Sequence, residues 1–354
     1  MSPDATSRTA RYRTGNHELD QAIVDLVAAA GVRRDDDLVF EMVVSALRMG
    51  REAVNRGDLK LVNAALKELR YSFLVFEPYD QVPKVSIFGS ARLRSSDPAY
   101  TVARDFGAAM ADADWMVITG AGPGIMEAGI EGAGADRAFG VNIVLPFESE
   151  ASPLIAGDPK LINYRYFFTR KITFMMQSRA FALLPGGFGT MDEAFELLTL
   201  MQTGRAPIAP VVLLEAEGGT YWSTWREFVQ RELADRSLIS ERDLAFVHPC
   251  AHPSEAVSHI LDFYRTYHSQ RYVGRRLILR LNHDIDDALL ESLNAEFADI
   301  CTSGRIERSE VTPSEREDDD VVDLPRLALR FDKASYARLR ELIDRLNAGR
   351  RPPQ

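Results

Sequence analysis

From Lys84 to Glu215, short apolar runs alternate with longer runs of helical periodicity, and this alternation constrains the fold more than any other feature. Strands that alternate with helices at this spacing form a parallel sheet with helices on both faces. The sequence therefore predicts an α/β fold, a Rossmann-like doubly wound parallel sheet, whose ligands bind at the carboxyl ends of the strands. Five strands are predicted, in KVSIFG, WMVITG, AFGVNIVLP, AFALLP and IAPVVLLE.

Further segments flank this α/β domain. Residues 1–16 are polar and are predicted to be a disordered tail. Residues 17–83 carry apolar residues at three- and four-residue steps, which predicts an N-terminal helical segment. The α/β domain is predicted to span residues 84–270, and residues 271–354 to form a small α+β domain of order βαββα. Its acidic run, SEREDDDVVD, is predicted to be a solvated loop.

Composition narrows the range of partners. The 354 residues carry a net charge of −10, which argues against general affinity for nucleic acid or for an anionic membrane. No apolar run approaches the ~18 residues of a membrane span, and no apolar leader is visible at the N-terminus. Two cysteines make neither a disulfide framework nor a zinc site. We expect a cytoplasmic protein.

Glycine-rich loops follow three of the predicted strands, in FGSAR (88–92), TGAGPGIME (119–127) and PGGFGTMDE (185–193). Backbone N–H groups can surround a phosphate only where no Cβ intervenes, and the start of the following helix adds its own unpaired N–H groups. A tight turn explains any single loop equally well, but loops that meet in one crevice favour a phosphate-bearing ligand. None matches G-x-G-x-x-G or G-x-x-x-x-G-K-[ST], so a mononucleotide fits better than NAD or ATP.

The side chains available for catalysis near these loops are carboxylates, arginine and lysine. The α/β core, residues 84–215, contains neither histidine nor cysteine, which excludes a Ser-His-Asp or Cys-His arrangement within it. No metal or cofactor is predicted, since carboxylates alone favour harder ions than zinc or iron. Glu193, Arg170 and Lys171 remain as candidates. Purely structural roles for these residues stay open. Residues Thr190 to Glu193 fit a helix capping box, and Arg170 and Lys171 could lie at a helix edge with their charges in solvent.

The motifs together resemble a known family. TRK followed by LPGGFGTMDE resembles the R-K … P-G-G-x-G-T-x-x-E signature of the LOG (Lonely Guy) family, often mislabelled as lysine decarboxylases. FGSAR, TGAGPGIMEAG and GVNIVLPFE resemble further segments of that family, so the resemblance covers about residues 84–221. Known members are phosphoribohydrolases that split a nucleoside 5′-monophosphate into free base and ribose 5-phosphate. They form dimers with shared sites and need no cofactor.

The resemblance implies roles for individual residues. It makes Arg170 and Glu193 the catalytic pair, with Glu193 stabilising the charge that develops at C1′ and orienting water. The resemblance matches Glu148, with loose spacing, to the acid that the family places before the R-K pair. The substrate-binding residues implied are Ser90, Gly122, Gly124, Glu148, Lys171, Gly186, Gly187, Phe188, Gly189, Thr190, Met191 and Asp192.

We therefore expect a nucleoside 5′-monophosphate phosphoribohydrolase that acts on AMP-like or cytokinin monophosphates and forms a homodimer or higher homo-oligomer. No nucleic-acid or membrane partner is expected. Two alternatives stay open at this point. One is a pyridoxal-phosphate decarboxylase with Lys171 as the Schiff-base lysine. The other is a non-catalytic nucleotide sensor or a binding protein similar to molybdenum-cofactor carriers.

Overall fold

The computed structural model describes residues 12–145 and 151–348, and the chain divides into two compact units, Met1–Arg70 and Tyr71–Gln354. This division falls within the third helix, before the predicted domain boundary at residue 84. The three helices of the N-terminal segment are α1 (His17–Ala29), α2 (Asp36–Arg51) and α3 (Arg56–Phe76). Among the described residues, no helix is long and apolar enough to cross a membrane.

In the first unit, α1 and α2 pack through a small apolar core. Asn16 caps α1, because its Oδ1 accepts a hydrogen bond from the Leu19 N–H at 3.0 Å. The core is formed by Ile23, Val27, Phe40 and Val44. Of the tail predicted to be disordered, residues 1–11 lie outside the described residues. Residues 12–16 are ordered, since the Thr14 N–H donates to Asp20 Oδ1 at 2.9 Å.

The second unit contains a parallel sheet of seven strands in the order β4-β3-β2-β1-β5-β6-β7. The strands are β1 (Lys84–Phe88), β2 (Met116–Thr119), β3 (Ala138–Ile143), β4 (Leu161–Tyr164), β5 (Ala180–Leu183), β6 (Val211–Leu214) and β7 (Val247–Cys250). The helices between them are α4 (Pro98–Asp112), α5 (Ile125–Ala133), α6 (Phe167–Gln177), α7 (Phe188–Gln202), α8 (Tyr221–Phe228) and α9 (Pro253–Phe263). The predicted Rossmann-like doubly wound fold is confirmed, with β1 beside the point where the strand order reverses.

Side chains alternate between the two faces of this sheet, as strand geometry requires. Val85 and Ile87 on β1 point into the apolar core beneath α4, α5 and α9. Phe88 and, on β5, Phe181 point into the opposite core, which also contains Phe174 of α6. Both faces are therefore buried, which explains why these strands are predominantly apolar and do not alternate between apolar and polar residues.

Two of the seven strands, β4 and β7, were not among the five predicted from the sequence. β4 reads LINY, and its third residue, Asn163, is exposed. β7 reads VHPC, and a proline within a run argues against a strand. Both lie at the edges of the sheet, and an edge strand tolerates Pro249 and polar side chains because one of its sides pairs with no other strand.

The C-terminal part confirms the small α+β unit and adds a strand to it. An antiparallel sheet has the order β10-β11-β9-β8. Its strands are β8 (Tyr267–Val273), β9 (Arg276–Leu281), β10 (Cys301–Arg308) and β11 (Arg326–Phe331), and its helices are α10 (Asp287–Glu296), α11 (Pro313–Glu317) and α12 (Tyr336–Asn347). β8 was not predicted, and the predicted boundary after residue 270 falls inside it. The strand forms a hairpin with β9 through Gly274, whose φ is +61°.

The acidic run of this unit is not a solvated loop, so that expectation is wrong. Glu315 is fully buried, and its Oε1 lies 3.0 Å from Arg280 Nη2 and 3.3 Å from Arg326 Nε. Asp320 Oδ2 lies 2.6 Å from Arg280 Nη2 and 2.6 Å from Arg271 Nη1. Arginines from three neighbouring strands therefore hold the run against the small sheet. The charge pattern of one segment does not indicate which opposite charges on other segments will pair with it in the fold.

Candidate active site

The three glycine-rich loops, here called the site loops (88–92, 119–127 and 185–193), meet at the carboxyl ends of β1, β2 and β5. Together with α6 they enclose a cavity of about 860 Å³. Of the residues predicted from the sequence, ten line it: Ser90, Gly122, Arg170, Gly186, Gly187, Phe188, Gly189, Thr190, Met191 and Glu193. Glu148 lies outside the described residues.

Backbone hydrogen bonds fasten the site loops to one another. The Ser90 N–H donates to the Pro185 carbonyl at 3.1 Å, and the Ile125 N–H donates to the Ser90 carbonyl at 3.1 Å. Gly124, which does not line the cavity, makes this second contact feasible. Its φ is +71°, and an added Cβ would lie 2.4 Å from the Ser90 carbonyl oxygen. Gly124 therefore shapes the loops rather than facing a ligand.

The glycines of the third site loop divide into two kinds. An added Cβ at Gly186 would lie 2.1 Å from Thr190 Oγ1, so packing within the chain requires a glycine there. An added Cβ at Gly187 or Gly189 would meet no atom within 4 Å among the described residues. Their bare backbones are not explained by neighbouring protein atoms, and they leave N–H groups accessible from the cavity.

Helix α7 begins earlier than the capping-box reading requires. Its first residue is Phe188, and Gly187 occupies the N-cap position without a side-chain hydrogen bond. Thr190 is therefore the third helical residue, and Glu193 lies in the second turn. The capping-box interpretation of Thr190 and Glu193 is wrong, because it needs Thr190 to precede the helix. Capping does not explain the position of Glu193.

Glu193 and Arg170 face each other in the wall of the cavity. Glu193 Oε1 lies 3.5 Å from Arg170 Nη2, and only 5% and 14% of the two side chains are exposed. Within the described part of the chain, Glu193 Oε2 and Arg170 Nε are buried without a hydrogen-bond partner. Buried polar atoms are satisfied in most proteins, so these two atoms are available to a ligand.

Aromatic rings surround the guanidinium of Arg170. Its Cζ lies 5.0 Å from the ring centroid of Phe167 and 5.8 Å from that of Phe174. These cation–π distances, and the low exposure of the side chain, contradict the reading in which Arg170 extends its charge into solvent. The rings hold the guanidinium at the cavity instead.

Burial dominates the electrostatics of the pair. It raises the pKa of Glu193 from 4.5 to about 7, although the positive charges of Arg170 and Lys171 oppose the shift. Burial also lowers the pKa of Arg170. A carboxyl group with a pKa near neutrality can exchange a proton with water at physiological pH, which is the property of a general base.

The raised pKa predicts a pH dependence. If the ionised carboxylate is the working form, kcat/KM rises as pH increases through about 7 and levels off above it. The folded protein binds a proton more tightly at Glu193 than the unfolded chain does, so its stability declines as pH rises from 4.5 to about 7. Initial rates measured across this pH range check the predicted rise in kcat/KM. A phosphate group on a substrate would titrate separately, at ~6. A profile flat through neutrality would contradict this role of Glu193.

Some cavity residues were not predicted. Arg92, within FGSAR, and Asn142, at the carboxyl end of β3, both line the cavity, and their places after predicted strands were the available signals. Tyr221 supports the site from outside, since its hydroxyl donates to the Gly186 carbonyl at 2.5 Å. No local pattern signals that contact, because the two residues are far apart in sequence.

Comparisons with known proteins agree with this geometry. The family model described as "Possible lysine decarboxylase" matches residues 123–260. A probable cytokinin riboside 5′-monophosphate phosphoribohydrolase LOGL1 from Oryza sativa subsp. japonica is 37% identical over 86 residues, which cover 23% of this chain and 37% of the rice protein. Over these matched residues the chain is similar to the LOG family. Because the match spans little more than a third of the rice relative, its activity is not transferred directly.

The solved structures that are similar to this chain are distant in sequence. A molybdenum cofactor carrier protein from Chlamydomonas reinhardtii is 20% identical, with 50% of this chain and 94% of that chain covered at a TM-score of 0.36. DNA processing protein A from Streptococcus pneumoniae is 10% identical, with 67% and 86% covered at a TM-score of 0.34. Because these scores are low, the fold assignment rests on the strand order.

Two residues that the resemblance assigns to substrate binding, Lys171 and Asp192, lie beside the cavity and do not line it. Lys171 Nζ is 2.7 Å from Asp192 Oδ2 and 2.6 Å from Glu196 Oε2. Burial opposes protonation, but the hydrogen bonds to the two carboxylates prevail and raise the pKa of Lys171. A Schiff-base lysine needs a neutral amine, so this geometry argues against the pyridoxal-phosphate alternative. Contact of Lys171 and Asp192 with substrate stays a prediction.

Proposed function

We propose that this protein is a nucleoside 5′-monophosphate phosphoribohydrolase. The observation that carries the proposal is the buried Glu193 carboxyl group, which lines the cavity and leaves Oε2 without a hydrogen-bond partner among the described residues. It lies one helical turn beyond Gly189, where an added Cβ would meet no described atom within 4 Å. Similarity to the LOG family over part of the chain supports the same reaction.

The phosphate is assigned to the third site loop. Gly187 and Gly189 present bare backbone at the start of α7, where unpaired N–H groups and the helix dipole favour an anion. The exposed Arg92 lines the same cavity and adds a positive charge. Binding energy from the phosphate, which does not react, positions the sugar for the chemical step.

Glu193 acts at the anomeric carbon. Cleavage of the N-glycosidic bond places positive charge on C1′ and the ring oxygen, which a nearby carboxylate stabilises. Glu193 also takes a proton from the attacking water, whose oxygen bonds to C1′ while the bond to the base breaks. The base leaves with the electron pair and gains a proton, so water and nucleotide give free base and ribose 5-phosphate.

Arg170 orients the catalytic carboxylate. Its Nη2 contacts Glu193 Oε1, which leaves Oε2 for water or sugar. Its buried positive charge keeps part of the Glu193 population ionised near neutral pH, against the effect of burial. The unpartnered Nε of Arg170 offers one more donor to the sugar phosphate.

The proposed substrates are AMP-like or cytokinin monophosphates. The cavity of about 860 Å³ lies within the range of small-molecule sites and accommodates a mononucleotide. The cytokinin alternative comes from the name of the rice relative, and AMP from the general chemistry of the site. The cavity contacts do not select between these bases.

The proposal is tested by incubating the protein separately with AMP, GMP, CMP and UMP. Chromatography should detect free base and ribose 5-phosphate in equal amounts from at least one nucleotide. A cytokinin riboside 5′-monophosphate in parallel tests the narrower assignment. Tight binding of a nucleotide without release of base would overturn the hydrolase and favour the sensor or carrier alternative.

A further inference from the structure

Three side chains with metal-binding donor atoms meet at the edge of the large sheet, away from the residues that line the candidate active site. They are His248 and Cys250 on β7 and Glu255 on α9, and one donor atom from each lies within 4.8 Å of the others. We call them the β7 cluster. Imidazole, thiol and carboxyl are the ligand types from which proteins build zinc sites.

The local fold brings these residues together. His248 and Cys250 are two apart on an extended strand, so their side chains point to the same side. Glu255 is the third residue of α9, which begins at Pro253 directly after the turn. Its Oε2 accepts a hydrogen bond from the Ala251 N–H at 2.9 Å, which directs the carboxylate back toward the strand.

The surroundings fix the position of the imidazole. The ring of His248 stacks on that of His259 at 3.9 Å, and His259 Nε2 lies 3.2 Å from Arg340 Nη2. Arg340 is itself paired with Asp344 at 3.0 Å.

We propose that the β7 cluster binds one zinc-class divalent ion through His248, Cys250 and Glu255, with water in the fourth position. The thiolate selects a borderline or soft ion over magnesium or calcium. Tetrahedral coordination places such ligand atoms roughly 3.3–3.6 Å apart, so side-chain adjustments of about 1 Å close the site. On binding, the Cys250 proton passes to solvent as the metal–sulfur bond forms. The exposed Glu255 gives the ion access.

A metal at this position joins the carboxyl end of β7 to the start of α9. It does not depend on the proposed hydrolase, because these three residues lie outside the cavity lined by the site loops. The proposed site departs from the expectation that two cysteines make no zinc site. That expectation considered only the number of cysteines and not a site that combines cysteine with histidine and glutamate.

Cobalt(II) is the probe for the full-length protein, because a cobalt–thiolate bond absorbs in the near ultraviolet. Titration should give this band with one equivalent of metal, zinc should displace it, and zinc should raise the melting temperature. Cys250→Ser should remove the band and weaken cobalt binding by at least the ~10–100-fold that changes in outer-shell residues cause. Cys301→Ser, which changes the other cysteine, should leave both unchanged.

A second pair of variants keeps the test decisive if Cys250→Ser fails to fold. Glu255→Gln alters an exposed side chain and should weaken cobalt binding, whereas His252→Ala, at an exposed neighbouring histidine, should not. The proposal is overturned if the wild-type protein shows neither the band nor a zinc-dependent melting shift. It is equally overturned if Glu255→Gln and Cys250→Ser bind cobalt as tightly as wild type.

Discussion

Replacement of Glu193 by glutamine is expected to abolish release of base from AMP while leaving AMP binding within a few-fold of wild type. Glutamine keeps the shape of the side chain but cannot accept a proton from water or stabilise positive charge at C1′. The expected loss in kcat is on the order of 10²–10⁴-fold, the usual size of general acid–base catalysis. Chromatographic rates and calorimetric binding of AMP measure the two quantities.

Folding should not account for that loss. The raised pKa of Glu193 shows that its buried negative charge is unfavourable in the folded state, so the neutral glutamine should melt at or above the wild-type temperature. Asp105→Asn is the control and should turn over AMP as wild type does, because Asp105 is 52% exposed, pairs with Arg104 and does not line the cavity. Near-normal turnover in Glu193→Gln would remove Glu193 from the mechanism.

Replacement of Arg170 by alanine should lower kcat/KM by roughly 10²–10³-fold, as when one preorganised donor is lost. It should also raise the pKa of Glu193 further, because Arg170 opposes the effect of burial. The rise of the pH–rate profile should therefore move to higher pH. Glu193 can take up a proton when its partner is lost, so the defect should appear mainly in activity and not as unfolding.

Arg170→Lys separates charge from geometry. Lysine keeps the positive charge, so the pH–rate profile should stay near that of wild type, but it lacks the planar fork, so the rate should fall. Arg137→Ala, which removes an arginine paired with Asp114, should behave as wild type. An unshifted profile in Arg170→Ala would show that the guanidinium does not set the protonation of Glu193.

The sequence predicted the architecture of the site better than its details. The site loops follow strands whose apolar runs are buried on both faces, and such runs are recognisable without a structure. The start of α7 was misplaced because Thr190 is a good capping residue, yet the helix begins at Phe188 behind a glycine. Here the capping preference of Thr190 is outweighed by hydrogen bonds that hold the loop in place. These bonds come from Ser90 and Tyr221, which lie in other segments.

Neighbouring charges were also hard to separate from sequence. Arg170 and Lys171 are adjacent, but consecutive residues on a helix point about 100° apart, and the two contact different carboxylates. The signature residues alone do not tell which of them faces the cavity. β7 was missed because Pro249 is tolerated only at an edge, and the position of a strand in a sheet is a tertiary property.

Hydrogen bonds join the site loops, so the cavity exists only in the folded protein. A ligand that binds there therefore stabilises the folded state. The loops leave β1, β2 and β5, and β1 lies between the other two, so no stretch of chain that carries one loop alone reproduces the cavity. A bound nucleotide thus favours the intact sheet by mass action, by about 2.7 kcal/mol at a hundred times its Kd. Melting curves recorded with each nucleotide would rank ligands even for variants that have lost all turnover.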